Sequence, residues 1–298
     1  MTHPEDGASI PKDVSDKLTR VSKHIVNTYA RPPFILSHGK GSWVYDTSNR
    51  RYLDVSGGIA VNALGHSDEQ FAKVMYDQAS KLVHTSNVYH HQWAGELAEL
   101  LINLTKRDGG LGWIPGTNPS SSELSSSSSS GAKVFLANSG TEANEGALKF
   151  ARIVGKDRWA KEKGITPSDY TNQDYVSSPK NRIVAFQDAF HGRSMGSLSV
   201  TSNPKYQAPF QPLIPNVDIG TYNDVQGLKE LITEDTCGVI VEPVQGEGGV
   251  HSASVEFLRA LRKRCDEVNA VLIFDEIQVS SFFFIPHIVM RSHHSLTI

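Results

Sequence analysis

Short apolar segments alternate with amphipathic segments over the second half of the chain. The apolar runs that predict strands are residues 134–137, 183–186, 198–201, 238–241 and 271–274. Residues 142–154 and 255–268 carry apolar side chains at helical spacing and predict helices. This alternation predicts an α/β domain with a mostly parallel sheet and helices on both faces, whose ligands bind beyond the carboxyl ends of the strands.

The first part of the chain has a different pattern. Residues 39–53 predict a short hairpin, because two strand-like stretches flank a polar turn. A helix is predicted from 68 to 83, with Ser67 and Gln70 as a capping box at its start. A second amphipathic helix is predicted at 94–104.

One internal segment of unusual composition lacks both the helical and the strand-like periodicity. Residues 108–131 are rich in Gly, Pro and Ser and include an unbroken serine run at 125–130, so a solvated loop insertion is predicted there. The predicted organisation is an N-terminal arm and small-domain segment at 1–65, a large domain at 66–278 and a tail at 279–298.

The net charge and the cysteine content argue against several classes of function. The net charge of −3 gives no electrostatic reason to expect a nucleic-acid or anionic-membrane partner, so small-molecule chemistry is favoured. The most apolar run, residues 282–290, is too short to cross a bilayer. Cys237 and Cys265 are too few for a disulfide framework and lack metal-binding spacing. Residues 1–17 are acidic and lack an apolar core, so no targeting segment is expected.

The first predicted strand end is followed by a small, glycine-containing turn and a helix. Ser139, Gly140 and Thr141 would present free N–H groups and the positive end of the helix dipole to an anion. A phosphate site is one interpretation. A plain helix cap by Thr141 is the other.

The second strand end combines an aromatic ring with a cation. Phe190 is followed by His191, Gly192 and Arg193, which suits a planar heterocycle and a carboxylate substrate. Taken singly, a core phenylalanine and a solvated arginine are the commoner outcomes.

Two further strand ends carry carboxylates. Glu242 and Glu247 lie on a glycine-rich loop, although a single Glu there is common on surfaces. Asp275 directly follows four apolar residues, where a carboxylate needs a cation or a metal. A protonated pyridine nitrogen would meet that need. Mg²⁺ held by Asp275 and Glu276 is the rival, but the P-loop sequence that would accompany it is absent.

These four motifs, in this order, resemble the class III (subgroup II) aminotransferases of fold type I over residues 21–278. Within that family the stretch 54–66 is most similar to the acetylornithine aminotransferases, and ornithine and 4-aminobutyrate aminotransferases are the near alternatives. The resemblance implies amino-group transfer between N-acetylornithine and 2-oxoglutarate in arginine biosynthesis. It also implies a fold type I large domain that depends on pyridoxal 5'-phosphate.

The resemblance also implies roles for particular residues. Those implied to hold the cofactor are Ser139, Gly140 and Thr141 at its phosphate, Phe190 on its ring, Asp275 at its ring nitrogen and Gln278 at its phenolic oxygen. On the substrate side, Arg193 is implied to bind the α-carboxylate. Glu247 is implied to pair with a second arginine further along the chain, and Glu242 to support the site.

After Gln278 the sequence departs from the family. Members continue with a Gly-Arg-Thr-Gly stretch and then a Schiff-base lysine, whereas here no lysine follows Lys263. We therefore expect a C-terminally truncated chain with no catalytic lysine and little or no transamination. A retained intron or truncated gene product competes with a genuine shortened paralogue as the explanation. A non-catalytic, cofactor-binding remnant that pairs with a full-length paralogue is the alternative role.

Family resemblance also bears on assembly and compartment. Class III aminotransferases are homodimers, so a second copy of the chain is an expected partner beside the amino-acid and 2-oxo-acid substrates. Eukaryotic members are usually mitochondrial, which implies the mitochondrial matrix. The cytoplasm is the alternative, because no presequence is visible.

Overall fold

The computed structural model describes residues 10–107, 132–278 and 295–297, the last as backbone only. Contacts between Cα atoms divide the chain into two units, Met1–His90 and His91–Ile298. The predicted insertion at 108–131 and nearly all of the predicted tail at 279–298 lie outside the described residues.

The N-terminal unit contains three helices and three strands within residues 10–90. They are α1 Lys12–Ser22, β1 Leu36–Lys40, β2 Trp43–Asp46, β3 Arg51–Leu53, α2 Gly57–Ala60 and α3 Glu69–Ala79. The predicted hairpin is confirmed: β2 pairs with β1 and β3, both antiparallel. Its turn is held by the buried Asp46 carboxylate, which accepts the N–H groups of Ser48 and Arg50, each at 2.9 Å.

The start of α3 differs from the prediction. The cap is Asp68, whose carboxylate accepts the Phe71 N–H at 2.7 Å, and not Ser67. Ser67 has a positive φ of 55° and donates its hydroxyl to the Gly39 carbonyl at 2.8 Å. The predicted capping box is therefore wrong, because an aspartate one residue later satisfies the first-turn N–H and releases Ser67 for a different contact.

The second unit contains the sheet. Its helices are α4 Gln92–Arg107, α5 Gly140–Glu162, α6 Gln173–Val176, α7 Met195–Val200, α8 Pro204–Gln207, α9 Leu228–Leu231 and α10 Val255–Glu267, with a 3₁₀ turn at Ala208–Phe210. Its strands are β4 Arg182–Phe186, β5 Val217–Gly220, β6 Thr236–Val241, β7 Val244–Gln245, β8 His251–Ser252, β9 Val271–Phe274 and β10 Ser295–Thr297.

Within the described residues, the main sheet runs β10-β9-β6-β4-β5, and every neighbouring pair is parallel. Alternate side chains of each strand face opposite layers. Val184 and Phe186 of β4 join a buried cluster with Phe257 of α10. Ile183 and Ala185 join a second cluster with α5. The predicted parallel sheet with helices on both faces is confirmed, and Phe186 and Val241 end their strands at one edge.

One predicted strand is a helix. Residues 198–201 overlap α7, in which Leu198 and Val200 are both buried. A short run that is buried all round fits a helix as well as a strand, so its composition could not decide. The Glu145 carboxylate decides it, because it accepts the first-turn N–H groups of Gly196 at 2.7 Å and Ser197 at 3.3 Å.

A second predicted strand, residues 134–137, is also wrong. It has strand-forming side chains, but it pairs with no strand in the part of the chain that the structure describes. Phe135 is 60% exposed and packs edge-on against Phe150 of α5, with ring centroids 5.8 Å apart. Since a strand is stabilised by its ladder partner, composition alone does not form one. Among the helices of residues 10–107 and 132–278, none is long and apolar enough to cross a membrane.

Lys180 joins two loops at the amino-terminal side of the sheet. Its side chain is buried, and Nζ donates to the carbonyl oxygens of Glu234 at 2.9 Å and Val268 at 2.5 Å. Burial lowers the pKa of Lys180. These two hydrogen bonds satisfy carbonyl groups at the start of β6 and the end of α10.

Replacing Lys180 by methionine is expected to lower the free energy of unfolding by about 2–4 kcal/mol, because both carbonyl groups lose their buried donor. The exposed Lys149→Met change is the matched control and should alter stability by less than about 0.5 kcal/mol. Urea unfolding of the two variants and the parent chain measures this. Equal stability of the two variants would contradict the structural role of Lys180.

Candidate active site

The first predicted motif forms the amino-terminal end of α5. Ser139 is the cap, and its hydroxyl accepts the Glu142 N–H at 3.3 Å. The alternative interpretation, a cap by Thr141, is therefore wrong. No residue in the described ranges accepts a hydrogen bond from the N–H of Gly140 or Thr141. These two donors lie at the positive end of a 23-residue helix and can bind an anion.

The Thr141 side chain connects this helix to the second motif. Its Oγ1 lies 2.8 Å from Ser194 Oγ and accepts the Ser194 N–H at 3.3 Å. Gly192 passes so close that a Cβ there would lie 2.3 Å from Thr141 Oγ1, and its φ is +124°. Only glycine fits this position without displacement.

Asp275 lies at the centre of the site and is 5% exposed. Its Oδ2 is 2.7 Å from His191 Nδ1 and accepts the Asn144 amide at 2.9 Å, while Oδ1 accepts the Ile277 N–H at 3.2 Å. In the described part of the chain, His191 Nε2 has no hydrogen-bond partner. Asn144 and His191 had no predicted role. Their positions in the sequence give no sign that they meet Asp275, which is 131 and 84 residues away.

Glu242 is buried beside these groups. Its carboxylate accepts the Phe190 N–H at 3.0 Å. Glu242 at the end of β6 therefore fixes the loop after β4 that carries Phe190. Burial raises the pKa of Glu242 to about 7, although His191 and the Phe190 N–H act in the opposite direction. The Tyr222 hydroxyl donates to the Glu242 backbone carbonyl at 2.8 Å.

Arg193 and Glu247 meet through a residue that the sequence did not single out. Tyr206 of α8 lies under the Arg193 guanidinium, whose Cζ is 4.4 Å from the ring centroid. The Tyr206 hydroxyl donates to Glu247 Oε1 at 2.7 Å, and its ring contacts Phe190 edge-on at 6.0 Å. The only signal in the sequence is an aromatic residue soon after Asn203 and Pro204, which indicates a helix start and nothing chemical.

The segment that follows β9, which contains Ile277 and Gln278, packs against the start of α5 and against the glycine-rich loop that carries Glu247. A Cβ added to Gly140 would lie 2.7 Å from the Ile277 side chain, and one added to Gly246 would lie 3.8 Å from Gln278 Cβ. Gln278 itself is exposed. The structure thus brings all the predicted site residues into one region of the second unit. The predicted absence of a Schiff-base lysine concerns residues outside the described ranges and stays a prediction.

The arrangement suits a phosphorylated, flat, nitrogen-containing ring. It offers unpaired helix N–H groups for an anion, an aromatic face at Phe190 and a buried carboxylate at Asp275 that is positioned by Asn144 and His191. Residues 25–280 match the family described as Aminotransferase class-III.

The chain belongs to the class III aminotransferase family.

Relatives within the class III aminotransferases agree with this assignment. The chain is 48% identical to the mitochondrial acetylornithine aminotransferase of Neurospora crassa over 93% of its own length and 53% of that protein. It is 50% identical to the mitochondrial acetylornithine aminotransferase of Yarrowia lipolytica over 90% of its own length and 56% of that protein. The chain therefore spans about half the length of the curated relatives it matches.

A solved class III structure supports the fold. The N-acetylornithine aminotransferase of Stenotrophomonas maltophilia is 30% identical and superimposes with a TM-score of 0.60, over 88% of this chain and 54% of that one. The predicted fold type I class is confirmed.

Gly192→Ala is expected to lower the free energy of unfolding of this aminotransferase chain by about 2–4 kcal/mol, because the added Cβ clashes with Thr141 and φ is positive. Gly164→Ala is the matched control, since Gly164 also has a positive φ but a Cβ there would meet no atom within 4 Å. It should cost about 1 kcal/mol. Equal losses in urea unfolding would show that the approach to Thr141 is unimportant.

Glu242 should make stability depend on pH. The folded state keeps its proton up to about pH 7, whereas the unfolded chain loses it near 4.5, so the free energy of unfolding falls as pH rises through this window. The fall attributable to Glu242 is about 3 kcal/mol.

Glu242→Gln should remove that part of the slope, and the exposed Glu230→Gln should leave it unchanged. Urea unfolding at half-unit intervals between pH 4.5 and 7.5 measures both variants. A Glu242→Gln profile parallel to that of the parent chain would contradict the raised pKa.

Proposed function

We propose that the protein is a pyridoxal-phosphate-dependent acetylornithine aminotransferase of arginine biosynthesis, and that the described residues supply its cofactor-binding part. The observation that carries this proposal is the buried Asp275 carboxylate, which is positioned by His191 and by Asn144, a residue of the same helix α5 whose first N–H groups are unpaired. Membership of a family that uses this cofactor supports it. The names of the two fungal relatives support the substrate.

Each cofactor-binding residue has a physical role in this proposal. The N–H groups of Gly140 and Thr141, aided by the α5 dipole, would hold the phosphate. Phe190 would cover the ring face, and Gln278 would reach its phenolic oxygen. Asp275 would pair with the ring nitrogen and keep it protonated, because a buried carboxylate favours a cationic partner. When bound, pyridoxal phosphate supplies an electron-accepting ring that stabilises negative charge at the substrate α-carbon.

The substrate carboxylate would bind Arg193. A guanidinium binds a carboxylate through two parallel hydrogen bonds, and its placement over Tyr206 fixes its plane. Glu242 accepts the Phe190 N–H and so fixes the loop that carries both Phe190 and Arg193. Glu247 would pair with a second, C-terminal arginine of the family when that arginine holds no dicarboxylate.

Compartment and assembly are part of the proposal. The names of the two fungal relatives support a mitochondrial location. A homodimer is proposed on family resemblance, and the mass of the protein in solution tests it.

Pyridoxamine 5'-phosphate is the best probe of the site, because its amine cannot form a Schiff base with surface lysines. We expect the 298-residue chain to bind one equivalent in calorimetric titration. Asp275→Asn should weaken binding at least tenfold through loss of the charge opposite the ring nitrogen. Pyridoxamine without the phosphate should also bind more weakly, since it leaves the α5 donors unused.

Asp218→Asn is the matched control. Asp218 pairs with Arg182 near the start of β4 and should not affect affinity. The unfolding free energy of each variant separates lost binding from lost folding, and Phe190→Leu provides a second site variant. The proposal fails if the parent chain does not bind the probe, or if Asp275→Asn and Asp218→Asn bind it equally well.

A further inference from the structure

Tyr206 touches both charged residues that flank the proposed carboxylate site. Its ring face lies under the Arg193 guanidinium at 4.4 Å, and its hydroxyl donates to Glu247 Oε1 at 2.7 Å. Tyrosine is one of the few side chains that can do both, since it offers an aromatic face to a cation and an O–H to an anion.

The short helix that carries Tyr206 is anchored. The Asn203 side chain caps α8 by accepting the Lys205 N–H at 3.0 Å. The Gln207 amide donates to the Leu198 carbonyl at 3.1 Å, which ties α8 to α7. Phe190 meets the Tyr206 ring edge-on. Tyr206 is therefore held from both sides while its hydroxyl faces Glu247.

The charge state of Tyr206 suits this contact. The hydrogen bond to Glu247 raises the pKa of the Tyr206 phenol, so at neutral pH the phenol keeps its proton and remains a donor. The Glu247 carboxylate is thereby hydrogen-bonded to a neutral phenol, and that phenol lies next to the Arg193 cation.

We propose that Tyr206 is a positioning residue for carboxylate recognition: its ring supports Arg193, and its hydroxyl keeps the Glu247 carboxylate from competing with the substrate carboxylate for that guanidinium. This rests on the proposed function, in which Arg193 binds the substrate. Glu247 and Arg193 both contact the Tyr206 side chain, the carboxylate at its hydroxyl and the guanidinium over its ring, so a single tyrosine separates the two opposite charges. Without the hydroxyl, Glu247 becomes an internal competitor.

The test uses the 298-residue chain saturated with pyridoxamine 5'-phosphate and titrated with glutarate, an unreactive dicarboxylate. Tyr206→Phe keeps the ring and loses the hydroxyl, so the Kd for glutarate should rise about fivefold to tenfold. Tyr206→Leu also loses the ring, and the Kd should rise a further threefold or so. Affinity for pyridoxamine 5'-phosphate should stay within about twofold of the parent chain for both variants, as loss of carboxylate binding alone predicts.

The double variant Tyr206→Phe, Glu247→Gln separates positioning from a merely structural role. Removing the competing charge should restore glutarate affinity to within about twofold of the Glu247→Gln single variant. Tyr170→Phe and Tyr170→Leu, at an exposed tyrosine of the same unit, are the matched controls and should change neither affinity.

Each remaining outcome is decisive. Unchanged glutarate affinity in Tyr206→Phe, parallel loss of both affinities, or a double variant as weak as Tyr206→Phe overturns the positioning role. A parent chain that binds pyridoxamine 5'-phosphate but not glutarate overturns it too, and leaves the cofactor proposal intact. A parent chain that binds neither overturns the proposed function together with this inference.

Discussion

A carboxylate buried in a protein interior is unfavourable unless donors surround it, and the site is organised around this constraint at Asp275. The donors come from α5, from the loop after β4 and from the backbone after β9. Three elements that are distant in sequence must therefore meet at one point. The parallel sheet makes this possible, because it ends β4, β6 and β9 at the same edge.

The polar side chains at the carboxyl ends and at the amino ends of the parallel strands have different roles. At the carboxyl end lie the buried polar groups that we propose bind the cofactor, and one of them, His191 Nε2, has no hydrogen-bond partner in the described residues. At the amino end, Lys180 satisfies backbone carbonyls and Arg182 pairs with Asp218, so polar side chains there serve the fold. Polar side chains thus support the fold at one end of the sheet and are proposed to act in chemistry at the other.

The sequence predicted the ends of β4, β6 and β9 well, and the contacts between them poorly. Asp275 and Gly140 stand out because each interrupts or follows a regular pattern, which is a local signal. Asn144 and Tyr206 do not, because their partners are brought to them by the fold. The predicted strands at 134–137 and 198–201 failed for the same reason: pairing and burial of a four-residue run depend on distant neighbours, and composition does not record them.

Asn144 lies on α5 about one turn after Gly140 and Thr141, so a single helix carries both the unpaired N–H groups and a partner of Asp275. In the proposed site, helical geometry and not a loop therefore sets the distance between the phosphate-binding N–H groups and the carboxylate that faces the ring. Inserting or deleting one residue between Gly140 and Asn144 would turn the amide away by about 100°. This short stretch should consequently have a fixed length in any functional descendant of the sequence.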